Sequence, residues 1–321
     1  MPIHYTAPLQ RAWARAKGIL FRPFNLETWI ILGFTAWLAR LWDNAGLGGS
    51  NWTRGEFQLD GDDLRRHHFD RDWDHESFLE WFGLGALELW VVMMLVVGGL
   101  LLALLLAWLS SRGEFMFLDN IVTRRARVSE PWRRYGGLGD TLFIWRIAFQ
   151  IVAGAVAIAL ILPSLFMILP IAEGGAWRGL GLLGVIGLGM TGFVLGLLAT
   201  LVNFWTDSFV VPLMYKHDLT ILDGWRRFLP LLRTHTGPLV LYALFYLLLS
   251  IGVGLAVAAV CLITCCVGGI ILAIPYIGTV LLLPIYTTAR ALGPEFLAQF
   301  GDEYRLWNGD EDSQEITPEK E

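Results

Sequence analysis

Three groups of residues in this sequence could carry chemistry. The first is the run Arg65-Arg66-His67-His68-Phe69-Asp70-Arg71-Asp72-Trp73-Asp74-His75-Glu76. In a helix, His68, Asp72 and His75 would share one face at i, i+4 and i+7. Imidazole and carboxylate both bind zinc and similar divalent ions, so these three form a candidate metal triad, with Glu76 near enough for a general base. The same run alternates Asp with Arg, as a solvated, salt-bridged loop does, and that plainer reading is favoured. The second group is Glu114, Asn203 and Asp207. The two acids sit at the ends of long apolar runs, where an unpaired charge is costly. They either line a polar pathway with Asn203 or pair with hinge arginines and fix an elbow. The third group is Cys261, Cys265 and Cys266, all within one apolar stretch. Small apolar packing residues are expected there, since no His or acid lies nearby in sequence to complete a thiol site. No phosphate-cradling loop, nucleophile elbow or dinucleotide fingerprint occurs. No cofactor is expected, and an enzyme is the less favoured class.

The elements that must position these residues belong to a membrane. The chain has 321 residues, of which 55% are hydrophobic and 17% charged. Its long uncharged runs exclude an ordinary soluble domain. The fold expected is all-α: a polytopic membrane protein of six transmembrane helices in three tandem hairpins, each hairpin entered through an amphipathic interfacial helix. The spans read as 26–42, 81–109, 141–169, 179–207, 238–263 and 268–291, with the second helix continuing to about residue 127. Pro163 and Pro170 should kink and stop the third, and Pro275 and Pro284 should bend or break the sixth. Gly192-x-x-x-Gly196 should let another helix approach closely, inside the chain or in a dimer. The membrane domain covers 1–300. Its polar extracytoplasmic loop, 43–80, holds ten acids against four arginines. Residues 301–321, with eight acids and two bases, read as an acidic disordered cytoplasmic tail.

A basic aromatic hinge precedes each hairpin. Trp132, Arg133, Arg134 and Tyr135 return 93 residues later as Trp225, Arg226, Arg227 and Phe228, and the same offset sets Glu114 on Asp207. A fainter copy holds Trp13 and Arg15, 119 residues before Trp132. Stripes Leu9, Trp13, Ala16, Leu20 and Trp225, Phe228, Leu229, Leu232 put apolar residues on one face, with Arg11, Arg15, Arg226 and Arg227 turned away. That pattern describes a helix in the membrane surface, its arginines on anionic headgroups at roughly 1 kcal/mol each. Anionic membrane lipids are therefore the expected partners, with a second copy or another membrane protein also open. Nucleic acid is not expected. One set of loops holds 18 of the 24 Lys and Arg residues, which places it, with the N- and C-termini, on the cytoplasmic side of a cytoplasmic (inner) membrane.

Three passages carry a family likeness: Ala12-Trp13-Ala14-Arg15 through Leu20-Phe21-Arg22-Pro23-Phe24, the Trp-Arg-Arg hinges, and Ile274-Pro275-Tyr276-Ile277-Gly278 followed by Pro284-Ile285-Tyr286. In these the chain resembles uncharacterised prokaryotic polytopic membrane proteins, among them the membrane domain attached to some glycerophosphodiester phosphodiesterases. The soluble phosphodiesterase barrel has no counterpart here, so the resemblance implies a lipid-related role without that activity. Together these readings make a non-catalytic, lipid-interacting scaffold or accessory subunit the first expectation, a transporter or lipid translocator the second, and a metal enzyme at His68, Asp72 and His75 the third.

Overall fold

The structure, a computed structural model, describes residues 3–44, 86–172, 178–264 and 267–307. The candidate metal residues His68, Asp72 and His75, together with Cys265 and Cys266, lie outside the described residues. Every regular element among those described is helical: α1 (Thr6–Phe21), α2 (Leu26–Ala39), α3 (Leu41–Asn44), α4 (Ala86–Thr123), α5 (Ser129–Arg134), α6 (Gly136–Ala172) and α7 (Arg178–Trp205), a π-turn (Thr206–Val210), then α8 (Val211–His217), α9 (Ile221–Thr234), α10 (Thr236–Ile263), α11 (Val267–Ala273), α12 (Pro275–Leu281) and α13 (Leu283–Leu297). Two short 3-10 turns follow, at Ala298–Phe300 and Asp302–Tyr304.

Among the described residues four helical stretches are long and apolar enough to cross a membrane: Trp90–Thr123, Gly136–Ile161, Ile186–His217 and Thr236–Ile263. The first and last expected spans are of another kind. α2 has 14 residues, about 21 Å at 1.5 Å per residue against a hydrocarbon thickness of about 30 Å. The sixth stretch is broken before Pro275 and again before Pro284, where a ring without an N–H cannot continue the preceding helix. α6 departs from expectation in the other direction. Its helical backbone runs through Pro163 and Pro170 to Ala172 instead of stopping at Pro170.

Each long helix divides into two halves. α4 has 38 residues, roughly 57 Å, nearly twice what a bilayer needs. Its apolar half around Val92–Leu102 is exposed, while Phe115, Leu118 and Ile121 are buried. The α7–π–α8 stretch repeats this, exposed at Met190–Leu198 and buried at Phe209–Met214. No more than 6% of the most apolar window of any of the four stretches is buried. The core therefore lies at one end, the base, from which the apolar halves project. α1 packs along α13, α2 against α4 and α12, and α6 against α4 and α7. At the centre of the base Phe209, Phe228, Tyr242 and Phe296 form one aromatic stack, with ring centroids 4.4–6.2 Å apart.

Glycine makes the closest crossings possible, but not at the expected positions. A Cβ on Gly113 of α4 would lie 2.7 Å from the Ala39 backbone nitrogen, and one on Gly293 of α13 would lie 2.2 Å from the Ser208 carbonyl oxygen. Gly192 and Gly196, read as an internal packing face, would meet nothing within 4 Å. That reading is corrected: among the described residues α7 packs against α6 without using this face.

Candidate functional site

The π-turn sets the geometry of the base. One widened turn at Thr206–Val210 carries Asp207 between α6 and α13. Asp207 accepts a hydrogen bond from Arg146 of α6, Nη2 to Oδ1 at 3.0 Å. The other Arg146 nitrogen faces the Ser111 and Ser110 hydroxyls of α4 at 3.3 and 3.5 Å. Arg290 of α13 completes the bridge. It donates to Glu114 Oε1 at 2.8 Å and to the Asp207 backbone carbonyl at 3.0 Å. Glu114 and Arg290 are each about one-tenth exposed. The pairing expected of these acids is present, with different partners: Arg290 and Arg146 take the places assigned to the hinge arginines. Asn203 lies one turn before Asp207 and is half-buried.

A third carboxylate, missed in the sequence, ties α1 to α13. Glu295 of α13 is buried and takes two guanidinium groups from α1, Arg11 Nε at 2.8 Å and Arg15 Nε at 2.5 Å. Arg15 also lies over the Trp307 ring, 4.1 Å from its centroid. α1 is thus turned from the orientation expected. Pro8, Ala12, Arg15, Ala16, Ile19 and Leu20 face α13, while Trp13 is exposed. The available signal was an isolated acid, Glu295, following Gly293-Pro294 at the end of an apolar stretch. Such an acid needs a cation, and Arg11 and Arg15 are i, i+4 on a short-residue face that includes Ala12 and Ala16.

The two main elbows differ. At the second, Arg112 of α4 forms a two-point pair with Asp140 at 3.0 and 2.8 Å and lies over the Trp108 and Trp132 rings, 4.4 and 5.1 Å from their centroids. The Trp108 indole donates to the same carboxylate at 2.9 Å. Arg133 and Arg134 are left exposed and, with Ser129 and Glu130, line a shallow open groove. Glu130 pairs with Arg127, whose guanidinium holds the carboxyl below its usual range. At the third elbow, the one after α8, Thr220 caps α9 and its hydroxyl donates to Asp223. The buried face of α9 is Ile221, Gly224, Phe228 and Leu231, with Leu229 outside it. Trp225 rests on Trp145 at 5.9 Å. This helix therefore covers protein, because Gly224 lets it sit against Val210 and Met214. Arg226 pairs with Asp223, and Arg227 with Glu303.

Glu303 belongs to a segment expected to be disordered. The structure instead docks Gly301–Trp307 on the base. Gly301 has φ +147, a conformation that side chains disfavour, and it turns the chain back under α8. Trp307 is buried there.

A family model built for a family of unknown function, DUF7544, matches residues 3–298. The chain belongs to DUF7544. The matched range holds Arg11, Arg15, Glu114, Asp207, Arg290 and Glu295, and it carries no link to glycerophosphodiester phosphodiesterases. No curated protein and no solved structure matches the chain.

Within this DUF7544 chain the base pairs Glu114, Asp140, Asp207 and Glu295 with arginine. Among the described residues no cluster of His, Cys, Asp or Glu could hold a metal ion. Cys261 is half-buried and in no disulfide. The chemistry that this arrangement supports is fixation of helices at the base and, at the second elbow, exposed guanidinium groups beside a Trp pair.

Proposed function

We propose that the chain is a non-catalytic scaffold or accessory subunit of the cytoplasmic membrane, gripping anionic lipid headgroups at its base. The observation that carries this reading is the division of the molecule. Glu114, Asp207 and Glu295 at the base are paired with arginine, while its apolar helix faces stand open to hydrocarbon or to the helices of another subunit. Exposed Arg133 and Arg134, beside Trp132, have the composition of an interfacial grip. In this reading α2 and the broken α11–α13 stretch are spans one and six, and both termini face the cytoplasm, as the Lys and Arg count requires. Three parallel hairpins would underlie the fold. Support comes from Glu114 and Asp207, related by the 93-residue offset, which both contact Arg290. The partners are anionic headgroups and a second copy or another membrane protein, with no nucleic acid.

Native mass spectrometry on protein released from nanodiscs containing phosphatidylglycerol tests the grip. At about 1 kcal/mol per arginine, Arg133→Ala with Arg134→Ala is expected to lower retained phosphatidylglycerol roughly thirty-fold. Retention equal to that of the unaltered chain would remove the lipid role from this elbow.

One observation favours a second reading, a transporter or lipid translocator. Asp207 sits in a π-turn, an arrangement often found at functional sites, with Asn203 one turn earlier. In proteoliposomes, Asp207→Asn is expected to abolish lipid scrambling if the pathway runs there. Scrambling that is absent from the unaltered chain, or untouched by the substitution, ends that reading.

A further inference from the structure

The docked segment Gly301–Trp307, here the strap, is held through its backbone oxygens as well as its side chains. Lys216 Nζ, at the end of α8, donates to the carbonyls of Asp302, Glu303 and Arg305 at 3.0, 2.7 and 2.8 Å. Arg227, on the neighbouring α9, takes the Glu303 carboxylate at 2.8–2.9 Å. The His217 ring nitrogen lies 3.3 Å from the Glu303 carbonyl. An ammonium and a guanidinium thus converge on four oxygen acceptors within a few residues of strap. Convergent Lys and Arg donors around clustered oxygens are what a phosphodiester headgroup also demands.

The contrast with the second elbow sharpens this. Arg133 and Arg134 occupy the positions that the 93-residue offset sets on Arg226 and Arg227, and both are exposed. At the third elbow Arg227 and Glu303 are only partly exposed, at 37% and 50% of their side-chain surface. The pair is open enough to water and headgroups to exchange. Trp307, buried beneath Arg15, supplies the hold that a half-exposed ion pair lacks.

We propose that Lys216 and Arg227 form a second anionic-headgroup site, and that the strap Gly301–Trp307 occupies it with its carbonyls and the Glu303 carboxylate. The strap is thereby an internal competitor for the lipid that the second elbow binds in the open. This inference rests on the lipid-gripping reading above and adds its regulation. Lipid in the site and strap in the site exclude each other, so membrane charge and strap release are coupled.

The test uses the full chain in nanodiscs containing phosphatidylglycerol, with retained lipid counted by native mass spectrometry. Glu303→Gln keeps the fold of the strap and weakens its hold on Arg227. It is expected to raise retained phosphatidylglycerol roughly five-fold, and a chain ending at Phe300 to raise it further. Arg227→Ala added to Glu303→Gln should return retention to the level of the unaltered chain. If Glu303→Gln and the shortened chain both leave retention unchanged while Arg133→Ala with Arg134→Ala still lowers it, the strap is not a competitor and the proposal fails, with the parent reading intact. If Arg133→Ala with Arg134→Ala has no effect but the Glu303→Gln gain appears and depends on Arg227, the parent reading fails at its own elbow and the strapped site stands. Inorganic phosphate added to the Glu303→Gln protein should leave the lipid in place. Displacement of the lipid by phosphate would assign the site to the free anion and overturn the headgroup assignment.

Discussion

Glu295→Ala is expected to be the most damaging single substitution in the base, lowering stability by about 3–5 kcal/mol. The loss follows from what remains, not from the pair's own strength. Arg15 is 7% exposed at its side chain and has Glu295 and the Trp307 ring as neighbours. Without the carboxylate its charge stays buried and loses its closest counter-ion. Arg11, 38% exposed, can turn to water, so it adds little to the penalty. The change is read as the midpoint of detergent-induced unfolding, followed by tryptophan fluorescence. Arg15→Met with Glu295→Leu should restore most of the midpoint, because the buried charge goes together with its counter-ion and Arg11 can turn to water. A midpoint unmoved by Glu295→Ala would mean that Arg15 is not buried as described.

Gly293→Ala should come close behind it, and other glycines in the same chain should respond with the opposite sign. A Cβ at Gly293 would fall 2.2 Å from the Ser208 carbonyl oxygen. That oxygen is backbone within the π-turn, so relief requires α13 to move off the turn. Movement there pulls Arg290 away from Glu114 and from the Asp207 carbonyl. Overpacking of this kind costs about 1–3 kcal/mol, and the strained network adds to it. At Gly192 and Gly196 a Cβ meets nothing within 4 Å. Alanine at either should be neutral or stabilise by about 0.5–1 kcal/mol, the usual gain for replacing glycine inside a helix. Both are measured by the same unfolding midpoint. Loss of stability at Gly192 or Gly196 would mean that the open glycine face is filled by another helix, and would point to an oligomer.

The sequence allowed the helices to be located because their apolar runs are long and uninterrupted. The end at Ile263 follows from where its run stops and the second helix ends at Thr123, near the expected 127, but the helix expected to end at 207 runs on to His217. It also marked Glu114 and Asp207 as acids in need of partners, from their cost at the edge of an apolar run. The partners themselves were not legible. Arg290 is 176 residues from Glu114, and Arg146 is 61 residues from Asp207. Helical periodicity describes one helix at a time and says nothing of which helices cross. Arg15 was misplaced for a related reason. Treating an arginine as outward is sound until a buried carboxylate on another helix reverses the preference, as Glu295 does. The glycines show the same limit: spacing alone made Gly192 and Gly196 look like a packing face, whereas the crossings are made by lone glycines, Gly113 and Gly293. Composition misjudged the strap because the acids of residues 301–307 are few, and Lys216 binds their backbone instead of their charge.

The pairing of α1 with α13 bears on how the protein is made. Arg15 and Glu295 are 280 residues apart. At about 5–20 residues per second, a ribosome needs roughly 15–60 s to travel that distance. During that interval α1 has been synthesised but its carboxylate has not. The long apolar helices between them are made first, and the base closes only when α13 arrives. Assembly of the base therefore has a late step, until which α1 stands without its counter-ion.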